Sequence, residues 1–269
     1  MKSIMRNIVR PIALAFVFVG AGFLLRLLFR MALDIEISLL LASVVNFVLA
    51  AIGAFLLYPR LLKESLGEVS FSEYLRRLGF YFPLHVWRHI LLGVVLALCT
   101  LGGMLVGSIM TGRYVLDWGN IDLSHVVFSM NPGVWEEFYF RGVIMVVLIM
   151  GGMSVRRAAL FQILLFGLAH IKGTGVWVWL DVFTVILLGA AFTYSAHKTR
   201  TLVAGIVFHF LHDALLFVVQ VPRAELFGFS EGAMFYGSLW VMVGVVCLLI
   251  KVASEKLGVQ AQEELYEAL

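Results

Sequence analysis

Three ionisable side chains, Glu136, Glu137 and Arg141, fall within six positions of the otherwise apolar stretch from Pro132 to Met145. Each ionised group at bilayer depth costs roughly 2.5–3.5 kcal/mol on insertion scales, so such groups face a bundle interior or a wet cavity and handle protons, ions or bond chemistry. Glu137 and Arg141 are four residues apart, the spacing at which an ion pair forms on one helical face. Glu136 is turned about 100° from Glu137 and is the carboxylate left to work on a water. A buried salt-bridge cluster that only holds helices together would account for Glu137 and Arg141. It would not account for Glu136.

Two further groups carry histidine. His170 closes the segment Phe166-Gly167-Leu168-Ala169-His170 at the end of a short apolar run, where it is either an interfacial residue or an acid–base group. Val207-Phe208-His209-Phe210-Leu211-His212-Asp213 lies inside another run. His209 and Asp213 share a helical face there, and His212 borders it. An unpaired charge at that depth is costly, so the two either satisfy each other with a hydrogen bond or belong to a site. Helical rise puts Glu136 ~15 Å below one surface and His209 and Asp213 ~10–17 Å below the other. Glu136, His170, His209 and Asp213 are therefore expected to meet in one cavity near the midplane. His85, His89, His125 and His197 fall at span ends or in loops and are read as interfacial.

The elements that must position these residues are helices in lipid. Hydrophobic residues make up 62% of the 269 positions and mean hydropathy is +0.99. Apolar windows of about 20 residues recur along the chain. The expected fold is all-α, a polytopic transmembrane bundle of about eight spans: Pro11–Phe29, Ile37–Leu57, Ile90–Met110, Val126–Met150, Ala158–His170, Val176–Ala196, Leu202–Val219 and Met234–Ile250. It forms a single membrane domain over 1–269. Within it lie N-terminal helices at 11–125 with an interfacial segment at 58–89, a motif core at 126–220 and a last span at 234–250. Ser72-Glu73 reads as the start of a short interfacial helix, against a plain loop. Cys99 and Cys247 both lie in apolar spans, which argues against a disulfide framework or a metal-thiolate site.

Arg26 and Arg30 follow the first apolar run with no small-residue cleavage pattern before them, so it reads as an uncleaved span rather than a signal peptide. With the N-terminus inside, fourteen of the twenty lysines and arginines fall on inner segments and only Arg30, Arg113, Lys172 and Arg223 on outer ones. That bias places both termini in the cytoplasm of a cell-membrane protein. The net charge of +3 is a topology feature and no indication of nucleic acid. Trp87, Trp118, Trp135 and Trp177 sit near span boundaries, as aromatic belts do.

Taken together, E-E-x-x-x-R at Glu136–Arg141, F-x-x-x-H at Phe166–His170 and H-x-x-x-D at His209–Asp213 resemble the three motifs of the CAAX-protease and bacteriocin-processing (Abi) membrane proteins. The segment Thr199-Arg200-Thr201-Leu202 is similar to that family too. The resemblance covers roughly Gly133 to Phe217. It implies a glutamate-dependent intramembrane endopeptidase of about eight helices. In it Glu136, assisted by His170, would deprotonate water, while His209 and the residue at position 213 would stabilise the oxyanion. Glu137 and Arg141 would shape the site. The Ras-converting branch has asparagine where this chain has Asp213. An ionised aspartate repels an oxyanion, so Asp213 is expected either to orient His209 as a triad aspartate does or to stay protonated through burial.

The expected partners are a peptide or protein substrate at the membrane and the lipid bilayer, with no nucleic acid and no cofactor. Two carboxylates and two histidines can also hold zinc, which would give a metal-dependent version of the peptidase. A different class is a non-catalytic immunity protein, transporter or scaffold. The internal repeat a transporter would carry is not evident. The charge bias has the cavity opening outward, which suits a secreted peptide, a leader or a lipid-embedded precursor tail.

Overall fold

The structure is a computed structural model that describes residues 5–33, 36–63, 68–112, 115–171, 175–220 and 228–256. Lys2, Arg113, Lys172 and Arg223 from the charge count lie outside them. Helix α1 spans Arg10–Leu33. Helix α2, Leu39–Ile52, runs through a π-helical turn at Gly53–Leu57 into Tyr58–Leu61. Helix α3 is Phe71–Arg77 and α4 is Val86–Met110. Helix α5 starts as Leu123–Asn131, is π-helical over Pro132–Ile144 and ends as Met145–Met150. Then follow α6 (Val155–Leu168), α7 (Val176–Thr199), α8 (Val203–Leu216) and α9 (Phe229–Lys256).

The all-α expectation holds, with one small addition. Strands β1 (Val115–Leu116) and β2 (Val219–Gln220) pair antiparallel, Val115 opposite Gln220. They tie the approach to α5 to the end of α8.

The polytopic bundle holds, and the span count is approximate. Among the described residues, Leu39–Leu61, Val86–Met110, Trp177–Thr199 and Phe229–Glu255 are long and apolar enough to cross a membrane. Asn7–Ala21 and Leu24–Ala32, bent by 63°, make a fifth if taken as one span. Helices α6 and α8 have 14 residues each, ~21 Å of rise against a hydrocarbon core of about 30 Å. Helix α8 packs inside the bundle, most extensively on α4 and α5, whereas α6 lies against α7 with one face and leaves Leu160, Phe161, Leu164 and Leu168 exposed on the other. The helices that bear the histidine motifs are thus the short ones, and α8 is the inner one of the two.

The 58–89 segment is docked on the bundle. Ser70, rather than Ser72, caps α3: its Oγ accepts the Glu73 amide at 3.1 Å, and Glu73 pairs with Arg77 at 3.0 Å. Tyr74 and Leu78 are buried, and the Tyr74 hydroxyl donates to the Ala54 carbonyl at 2.9 Å. The Thr-Arg-Thr-Leu segment explains itself here. Arg200 turns left-handed at φ 62°, which lets the Thr201 hydroxyl donate to the Tyr81 carbonyl at 3.0 Å and the Leu202 amide to the Gly79 carbonyl at 2.9 Å. The loop before α8 is thereby fixed to the chain after α3.

At the opposite end, Asp122 caps α5 by accepting the His125 amide at 2.9 Å. That hydrogen bond holds its carboxyl below the usual aspartate range.

Candidate active site

The carboxylates stand on α5 where it is π-helical. Pro132 opens that stretch. It has no N–H, and its ring crowds the carbonyl a turn earlier, so a wider turn relieves a strain that an α-helix would hold. Such π-helical insertions recur at functional sites. Gly133 then lets α5 and α8 touch: a Cβ there would stand 2.7 Å from Phe210 Cβ and 3.0 Å from the Phe210 backbone nitrogen. This contact brings the next residues of α5 against His209.

Glu137 and Arg141 form the ion pair expected from their spacing, Arg141 Nη1 to Glu137 Oε1 at 3.1 Å, with both side chains fully buried. The Arg141 guanidinium also donates to the Gly189 carbonyl at 3.3 Å and lies 4.1 Å from the ring centroid of Phe166 and 5.1 Å from that of Phe192. The phenylalanine of the second motif is therefore a cation–π platform. The buried pair is thus held by the Gly189 carbonyl and by two aromatic rings, further contacts of the kind that make such a pair tolerable.

His209 gives the first departure from expectation. Its Nδ1 lies 2.8 Å from Glu137 Oε1. A carboxylate only accepts, so Nδ1 carries the proton and donates it. The carboxylate hydrogen-bonded to His209 is thus Glu137, a role that the sequence offered to Asp213 as one of two alternatives. The reason is the close approach of α5 and α8 at Gly133, which a count along one helix does not show. Nε2 of His209 faces the other way, 3.9 Å from Glu136 Oε2 and 3.9 Å from Asp213 Oδ2.

His170 behaves alike. Its Nδ1 donates to the Phe166 carbonyl at 2.8 Å, and its Nε2 lies 3.8 Å from Glu136 Oε2. These separations are too long for hydrogen bonds and suit groups that share a water. Glu136 Oε2 is buried and has no hydrogen-bond partner among the described residues. Glu137 Oε2 shares that condition, but Glu137 Oε1 is held by Arg141 at 3.1 Å and His209 at 2.8 Å, and this is what sets the two carboxylates apart.

All four residues expected to converge do so, on the wall of a cavity of about 600 Å³ that also exposes His212, Asn46, Asn131 and Arg26. Its apolar lining includes Val19, Leu39, Val185, Leu188 and Phe217. Glu137 and Arg141 stand behind this wall. Asn46 and Asn131 were missed: Asn46 Nδ2 donates to Asn131 Oδ1 at 2.9 Å, and Asn131 Nδ2 donates to the Ser43 carbonyl at 3.1 Å. A carboxamide inside an apolar run was the available sign. The four other histidines divide. His125 closes the capping box of α5 and His85 is exposed, but His89 is buried at 5% exposure, contrary to its interfacial reading. It lies one turn before Gly93, whose face packs against Ala204 and Val207 of α8.

Fold and site define a polytopic membrane protein with a buried carboxylate–imidazole cluster opening into one cavity. Residues 118–215 match the family model described as type II CAAX prenyl endopeptidase Rce1-like, and every residue of the three motifs lies in that stretch. That stretch is similar to these CAAX-type membrane endopeptidases, in agreement with the resemblance of the three motifs. No curated protein and no solved structure matches the chain.

Proposed function

We propose that the protein is an intramembrane endopeptidase in which Glu136 activates water for attack on a peptide bond. The observation that carries this reading is the meeting of Glu136 Oε2 with His170 Nε2 at 3.8 Å and His209 Nε2 at 3.9 Å, on one cavity wall. A water held between Glu136 and His170 gives a proton to Glu136 as its oxygen bonds to the substrate carbonyl carbon. His209, steadied through Nδ1 by Glu137, donates from Nε2 to the carbonyl oxygen as it gains charge. The C–N bond then breaks, and the proton on Glu136 passes to the departing amine. Asp213 lines the same wall and bounds the oxyanion position. The reaction as written uses no metal and no cofactor.

The substrate class we infer is a peptide or protein tail lying at the membrane, entering from the outer leaflet. The lining residues Arg26 and Leu39 belong to the α1–α2 end of the bundle, which the charge bias puts outside. The cell membrane with both termini cytoplasmic is the corresponding placement. Comparing membrane peptidomes of cells that make the wild-type or the Glu136→Gln protein tests this reading. Fragments ending at one sequence pattern only with wild type support it. Identical peptidomes leave a non-catalytic membrane protein of the same fold.

A further inference from the structure

His212 is a buried imidazole on the cavity wall that the reaction above does not use. It stands three residues after His209 on α8, is 9% exposed and faces the same cavity. Its Nδ1 lies 3.0 Å from Thr100 Oγ1 on α4. The Thr100 hydroxyl is itself 2.9 Å from the Ala97 carbonyl one turn back, the usual back-bond of a helical threonine. A hydroxyl has one proton. Donated to Ala97, it leaves Thr100 Oγ1 as an acceptor, so His212 Nδ1 carries the proton of that contact. Nε2 is then the nitrogen left to the cavity, and it holds a lone pair.

The two imidazoles of α8 are thus mounted in parallel but offer opposite chemistry. His209 is pinned through Nδ1 to a carboxylate of α5 and His212 through Nδ1 to a hydroxyl of α4. A carboxylate supports a ring that donates from Nε2, whereas a neutral hydroxyl supports a ring that accepts there. A peptide bond presents both needs, since its C=O requires a donor and its N–H an acceptor.

We propose that His212 Nε2 accepts a backbone N–H of the bound peptide, orienting the scissile amide so that its carbonyl faces His209. Resting on the peptidase reading, this makes His212 a substrate-orienting residue and Thr100 its positioning residue. A peptide nitrogen that has lost its hydrogen is then refused at this position, as an unmet polar group is costly in a desolvated site.

The test is a binding cycle in the Glu136→Gln background, so that no turnover complicates it. The probe is a fluorescein-labelled octapeptide of leucine and alanine, with counterparts N-methylated at one backbone nitrogen each. Methylation at one nitrogen is expected to raise Kd roughly 10–100-fold with His212 present. Added His212→Phe raises Kd for the unmodified peptide by a similar factor and abolishes the methylation effect. Added His212→Gln, which keeps an acceptor near Nε2, restores most of both. Thr100→Val, which leaves the ring but frees it, weakens binding less and blunts the methylation effect, and serves should the phenylalanine variant not fold. An equal penalty for methylation with and without His212, or tight binding by a folded His212→Phe protein, overturns the role of His212 alone. Failure of the octapeptide to bind the Glu136→Gln parent removes the peptide site, and with it this proposal and the peptidase reading together.

Discussion

At the residue scale, adjacent carboxylates do different work because their surroundings differ. Glu137 is fully buried with Arg141 and His209 on one oxygen, while Glu136 Oε2 faces His170 and His209 at 3.8 and 3.9 Å, beyond hydrogen-bond reach. Arg141→Met would leave the Glu137 charge buried without its counter-ion, at a cost of about 3–5 kcal/mol. Thermal unfolding in detergent should show that loss, and the double variant Glu137→Gln/Arg141→Met should recover much of it. Full stability of Arg141→Met would mean that the pair is not needed for the fold. Asp213 permits a sharper prediction. A carboxamide there can donate to an oxyanion where an ionised carboxylate repels it, so Asp213→Asn is expected to match or exceed the wild-type kcat on the same peptide. A large fall in kcat would give Asp213 a proton-handling role.

At the element scale, the site depends on two irregularities. The π-helical stretch Pro132–Ile144 sets the angular offset of the glutamates, and the contact at Gly133 sets how near α8 comes. Gly133→Val must push Phe210 away or distort α5, an overpacking cost of about 1–3 kcal/mol. Activity should fall much further than stability, because the His209–Glu137 hydrogen bond of 2.8 Å does not survive a separation of an ångström. Retained activity would show that the approach is unimportant. The residue pairs were readable from the sequence because i,i+4 spacing holds for Glu137–Arg141 and His209–Asp213 whichever neighbours the helices have. The Glu137–His209 bond was not readable. It links residues 72 positions apart through a glycine contact, and nothing in either helix names the other. The Asn46–Asn131 bridge was hidden for the same reason. The span count is approximate because an apolar run records burial from water without saying whether lipid or protein covers it. For α8, protein does much of the covering.

At the scale of the whole molecule, an apolar bundle holds a chamber onto which the polar residues of the three motifs converge. The all-α membrane fold was legible from hydropathy alone, and the family resemblance from three short motifs that the match at 118–215 encloses. Orientation remains a separate prediction that rests on charge. With Cys99 and Cys247 replaced by alanine, single cysteines at Arg30 and Arg60 should label with a membrane-impermeant maleimide from opposite sides in intact cells. Arg30→Cys should react from outside, and Arg60→Cys only after lysis. The reverse pattern would turn the chamber toward the cytoplasm and change which peptides can reach it.

The account stands on Glu136 as the base that takes a proton from water. With a peptide cleaved by the wild-type protein in hand, initial rates should be compared for wild-type and Glu136→Gln proteins of equal thermal stability in proteoliposomes. Removing a positioned base should lower kcat roughly 10²–10⁴-fold with little change in KM. Equal rates for the two proteins would contradict it.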